Sequence, residues 1–139
     1  MNISEIGAEI VEEFSFYEDW MQKYEHLIEM GKELPPMDEQ LKTTKHLIKG
    51  CQSQVWLTAT LKDNKVIFNA DSDAIITKGM IALLIRALSG QEPKDIMDAD
   101  LKFIQEIGLN EHLSQTRANG LLNMIKQMKM YAIAYSNVK

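Results

Sequence analysis

Cys51 carries the only thiol in the chain, within Gly50-Cys51-Gln52-Ser53-Gln54 and directly ahead of the strand-like run VWLTATL. A thiolate is a nucleophile and a sulfur acceptor. A free thiol with a pKa of about 8.5 is only a few per cent ionised at neutral pH. Chemistry at Cys51 therefore needs a base, a cation or a partner that favours the anion. Lys45, His46 and Lys49 make the approach locally basic, although the same residues suit a solvated strand edge. Gly50 permits a sharp turn or the close approach of another chain, and polar neighbours put the thiol in a loop that can be reached. The alternative is a lone buried Cys that serves as a small apolar side chain.

Other chemistries find weaker support. His46 as a general base would make a Cys–His hydrolase. It stands five positions from Cys51, roughly 16 Å away on an extended strand, and no Gly-rich oxyanion loop accompanies the pair. His26 falls on a helix and His112 in a loop. A thiol peroxidase would want a resolving Cys, which is missing. One Cys and three His without paired spacing do not compose a closed zinc set, and a cluster takes several thiolates. A single Cys also excludes an internal disulfide or a CxxC pair. No metal and no cofactor are expected. Asp71-Ser72-Asp73 precedes an apolar run and reads as a helix cap, with Asp71 or Ser72 as the capping residue. Arg117 and Asn119 fall near the start of the last helix. Gly120 is unusual inside a helix unless a close packing contact requires it.

These residues need a scaffold, and the composition allows one α+β domain spanning residues 1–139. Of the 139 residues, 45% are hydrophobic and 25% charged, enough for a real core. Twenty acidic against 15 basic residues give a net charge of −5, which argues against general nucleic-acid binding. The start MNISEIGAEIVEEF lacks the basic region of a signal peptide, and the longest apolar run, GMIALLI, is far too short to cross a bilayer. A soluble, cytoplasmic protein is expected.

Ile3, Ile6, Ile10 and Phe14 predict a first helix. Ser15 then opens a second through the capping-box pattern SFYE, with Phe16, Trp20, Tyr24, Leu27 and Ile28 on one face and Gly31 as its stop. KELPPMDEQLKT is a loop. HLIKG is a short strand, and residues 54–61 alternate: Val55, Leu57, Ala59 and Leu61 point one way. Asp63–Asn64 forms a hairpin loop and KVIFNA returns. The sheet is small, antiparallel and about three-stranded, with Cys51 in the bend before its middle strand. Residues 71–90 make a central helix that is apolar almost all round. EPKDIM and DLKFIQEIG are short helices. A final helix carries Leu121, Met124, Ile125, Met128 and Ala132 at core spacing.

Four blocks, YEHLIEMGKELPPM, IKGCQSQVWL, DSDAIITKGMIALL and HLSQTRANGL, resemble the successive blocks of the SufE family of sulfur-acceptor proteins. The likeness runs from about Trp20 to Ile125, and GCQSQVW is its most specific part. SQTR stands where family members often have a Pro and a Ser. The resemblance implies an α+β fold like that of the cluster scaffold proteins. It also implies a partner, a SufS-like cysteine desulfurase that holds sulfur as a persulfide, and a downstream cluster scaffold complex. Cys51 matches the acceptor cysteine, and the pyridoxal phosphate belongs to the desulfurase. Gly50, Gln52, Ser53, Asp71, Asp73, Arg117 and Asn119 are then expected to form a partner-facing surface around the thiol. A paralogue serving another desulfurase pathway, and a non-catalytic interaction module using the face around Trp56, are the alternative readings.

Overall fold

The computed structural model describes residues 1–137. Asn2 nucleates the first helix, α1 (Ile3–Ser15). Its side chain accepts from the Glu5 amide at 2.8 Å, and the Glu5 carboxylate accepts from the Asn2 amide at 3.0 Å. This reciprocal arrangement satisfies two otherwise orphaned donors. Ile10 and Phe14 are its buried large side chains.

Ser15 closes α1 instead of opening the next helix. Its hydroxyl donates to the Glu12 carbonyl at 2.5 Å. The second helix, α2 (Trp20–Lys32), is capped by Asp19, which accepts from the Gln22 amide at 2.9 Å. Ser and Asp are both competent caps. Starting at Asp19 keeps Trp20, Tyr24, Leu27 and Ile28 packed on the core, and leaves Phe16 in the connection, 78% exposed.

Gly31 is not a stop either, because α2 runs on to Lys32. It lies against Gly79 of the central helix, α3 (Ile75–Leu88). A Cβ at Gly31 would sit 2.8 Å from the Gly79 nitrogen, and one at Gly79 would sit 2.3 Å from the Leu27 carbonyl oxygen. The two helices meet backbone to backbone. That approach buries α3 on nearly every side, from Ile76 through Leu84 to Leu88.

The sheet is a hairpin of β1 (Val55–Lys62) and β2 (Lys65–Ser72), paired antiparallel from Val55↔Ser72 to Lys62↔Lys65. Asp63 and Asn64 turn it at φ 52° and 62°, the backbone of a tight primed turn. Val55, Leu57, Val66, Phe68 and Ala70 are buried on one face. The HLIKG segment contributes a single bridge, Leu47↔Trp56, so two strands replace the expected three. The cause is visible on either side of that bridge. Gly50, at φ +84°, turns the chain away. Beyond α4 (Pro93–Asp98), α5 (Phe103–Glu106) and α6 (Leu109–His112) comes the long helix α7 (Gln115–Ser136), two of whose side chains reach the rest of the edge. The hydroxyls of Tyr131 and Tyr135 donate to the carbonyls of Leu57 and Ala59 at 3.4 and 2.8 Å, covering acceptors that a third strand would have used.

Asp71 and Ser72 finish β2 and do not cap α3. The cap position is Ala74, whose amide donates to the Ser72 hydroxyl at 3.2 Å. Ser114 caps α7, accepting from the Arg117 amide at 3.3 Å. Among the described residues, no helix is long and apolar enough to cross a membrane.

Candidate functional site

Cys51 sits at the tip of the turn between the Leu47 bridge and β1. The base of this turn is fixed on both sides. Ile48 donates its amide to the Val55 carbonyl at 2.8 Å. Gln54 donates its amide to the Asp73 carboxylate at 3.0 Å, and the Asp73 amide returns a bond to the Gln54 carbonyl at 3.2 Å. The tip lies on α7. There the Asn123 side-chain amide donates to the Gly50 carbonyl at 3.0 Å. The Cys51 thiol points its weak donor at the Gly120 carbonyl, 3.6 Å away.

A cavity of about 50 Å³ lies beside the thiol. Thr77 and Met80 of α3, and Thr116, Arg117, Gly120 and Met124 of α7, form its walls; Gln52 and Ser53 complete it. One water needs on the order of 10–15 Å³ of such space, so the cavity takes more than one atom of that size. Apart from Cys51, Arg117 is the one ionisable residue among the described residues of the wall.

The structure thus gathers Gly50, Cys51, Gln52, Ser53 and Arg117, with Asp73 joined through Gln54. Asp71 and Asn119 fall outside the cavity wall. Asp71 is held by Lys42 at 2.8 Å and Lys78 at 3.3 Å, and the Lys42 ammonium also lies 5.7 Å from the centre of the Trp56 ring. Burial would raise the Asp71 carboxyl, but hydrogen bonds from Lys42, the Ser72 amide and Lys78 outweigh it and hold the group below its ordinary value. Asn119 accepts from Gln115 at 3.1 Å along the helix surface.

None of the three histidines lines the cavity. His46 donates Nδ1 to the Leu41 carbonyl at 2.8 Å, which ties its ring back into its own loop. His26 meets Glu13 at 2.5 Å, and His112 stacks on Trp20 at 4.3 Å. No group of three His, Cys, Asp or Glu side chains among the described residues is placed to hold a metal ion.

Sequence reading missed Thr77, Met80, Thr116, Asn123 and Met124. A signal existed on α7. Thr116, Gly120, Asn123 and Met124 recur at spacings of three and four and so share a face, and Asn123 is a polar residue among Leu121, Leu122, Met124 and Ile125.

Burial pushes the Cys51 thiol above its ordinary value. The folded protein therefore holds this proton more tightly than the unfolded chain does. The resulting stabilisation is complete below the unfolded thiol's pKa and is lost as pH rises through the higher folded value. Alkylation of Cys51 by iodoacetamide is expected to rise with pH at a midpoint above that of the same thiol in denaturant. Coincident midpoints would contradict a sheltered thiol.

Residues 8–132 match the family described as SufE: Fe-S metabolism associated domain. The chain is 44% identical over 128 residues to an uncharacterised SufE-like protein of Synechocystis sp., covering 92% of this chain and 80% of that one. It is 42% identical over 126 residues to SufE-like protein 1, chloroplastic/mitochondrial, of Arabidopsis thaliana. That match covers 90% of this chain and 34% of the longer plant protein. A solution structure of a hypothetical protein from Thermus thermophilus superposes with a TM-score of 0.78 at 19% identity, covering 94% of this chain and 96% of that one. This last likeness speaks for the fold.

Proposed function

Because this chain belongs to the SufE family, associated with Fe–S metabolism, we propose that it accepts persulfide sulfur from a cysteine desulfurase on Cys51, stimulates that enzyme, and passes the sulfur on for cluster assembly. The observation that carries this reading is the setting of the chain's only thiol. It is half-buried on a turn, beside a cavity with room for one more sulfur.

In the transfer, the Cys51 thiolate attacks the outer sulfur of the donor's persulfide. A bond forms between Cys51 Sγ and that sulfur, the donor's S–S bond breaks, and the donor cysteine leaves as a thiolate that takes up a proton. No second thiol in the chain can attack the new persulfide and release sulfide, so solitude protects the cargo. At rest the thiol is neutral and turned towards Gly120. Reaction requires the turn to leave α7 and present Cys51 to the donor, where charges of the partner favour the anion. The apolar area given up is small, so the movement costs on the order of 1–2 kcal/mol, within what a protein interface supplies. Arg117, which lines the cavity, is the cation we assign to a persulfide anion once the turn has moved.

The test is desulfurase turnover, measured as alanine formed from cysteine, with and without this chain and in the presence of reductant. Turnover should rise and saturate with added protein. A flat response from an active SufS-like desulfurase would overturn the activator reading.

A further inference from the structure

The two ends of the Cys51 turn are pinned by backbone pairing, but the tip is not. Between Ile48 and Gln54 the turn has two bonds to α7: a long sulfur contact to Gly120 and the 3.0 Å bond from Asn123 to the Gly50 carbonyl. A thiol is a weak donor and the amide a strong one. Gly50 and Asn123 are also fitted to each other. A Cβ at Gly50 would lie 2.3 Å from the Asn123 amide nitrogen, so the amide fills the space that any other residue at position 50 would need.

We propose that Asn123 is a positioning residue for the sulfur-transfer thiol: its amide clamps the Gly50 carbonyl and sets how often the Cys51 turn leaves α7. This rests on the carrier reading for its purpose but not for its test. Gly50 is exposed, so its carbonyl takes up water once the turn lifts. Loss of the clamp therefore costs one net hydrogen bond and strands no buried group. The base of the turn, held by Val55 and Asp73, stays in place. Opening is confined to the tip.

The experiment compares Asn123→Ala, which removes the amide and its bulk, with Asn123→Leu, which keeps similar bulk without a donor. Cys51 in the free, folded protein is alkylated with iodoacetamide under conditions where labelling is slower than reclosing. Hydrogen exchange is followed in residues 48–54 and in α3. Both variants should label about twofold to tenfold faster than the parent, the factor that one net hydrogen bond allows. Exchange should quicken in the turn and not in α3. Parent-like labelling in both variants would overturn the proposal, as would equal quickening of exchange in α3. Neither measurement uses a desulfurase, so the clamp stands or falls separately from sulfur transfer.

Discussion

Gly79→Ala is expected to lower the stability of this fold by about 2 kcal/mol, the upper overpacking cost less the propensity gain, even though alanine is the better helix former. Propensity alone favours Ala over Gly by about 1 kcal/mol inside a helix. The added methyl, however, would lie 2.3 Å from the Leu27 carbonyl oxygen. Its obstacle is the backbone of α2, which cannot swing aside like a side-chain tip. Relief requires α2 and α3 to part, and overpacking of this kind typically costs about 1–3 kcal/mol or more. The clash wins. Chemical denaturation of both proteins checks it, and a variant as stable as the parent would show that the helix pair has slack. Gly31→Ala, meeting the Gly79 nitrogen at 2.8 Å, should move stability the same way by less.

Cys51→Ser should have the largest functional effect: uptake of sulfur falls to zero and desulfurase stimulation is lost, while folding and complex formation persist. Serine is slightly smaller, and its hydroxyl can donate to the Gly120 carbonyl that the thiol now faces at 3.6 Å. The half-buried position therefore absorbs the change at little cost. What disappears is the sulfur nucleophile, for which the chain has no substitute. Stimulation by a correctly folded Cys51→Ser protein would assign activation to docking alone. Loss of complex formation would make Cys51 part of the binding surface.

The hairpin and α3 were legible because their signals are local: alternation over Val55–Leu61, a turn dipeptide, and a run apolar almost all round. The misread places were ones where two local signals compete and tertiary packing chooses. Ser15 and Asp19 both cap helices, and the packing of Trp20 and Leu27 on the core favours Asp19. Gly31 looks like a helix stop until Gly79 is seen against it. HLIKG has the composition of a strand, but the edge it would extend is taken by Tyr131 and Tyr135 from the far end of the chain. The site divides in the same way. Cys51 could be picked out by type and setting, and Arg117 by its block. The bond between Gly50 and Asn123 spans 73 positions and exists only once α7 packs against the Cys51 turn. Asp71 and Asn119, grouped with the thiol on sequence grounds, do not line the cavity; they bond to Lys42 and Lys78 and to Gln115.

The most direct test of sulfur acceptance is the intact mass of the protein after incubation with a cysteine desulfurase and cysteine, quenched without reductant. A product heavier by the mass of one sulfur atom is expected, with the addition located on Cys51 and removed by a thiol reductant. An unchanged mass, from a desulfurase shown to turn over in the same tube, would contradict sulfur acceptance.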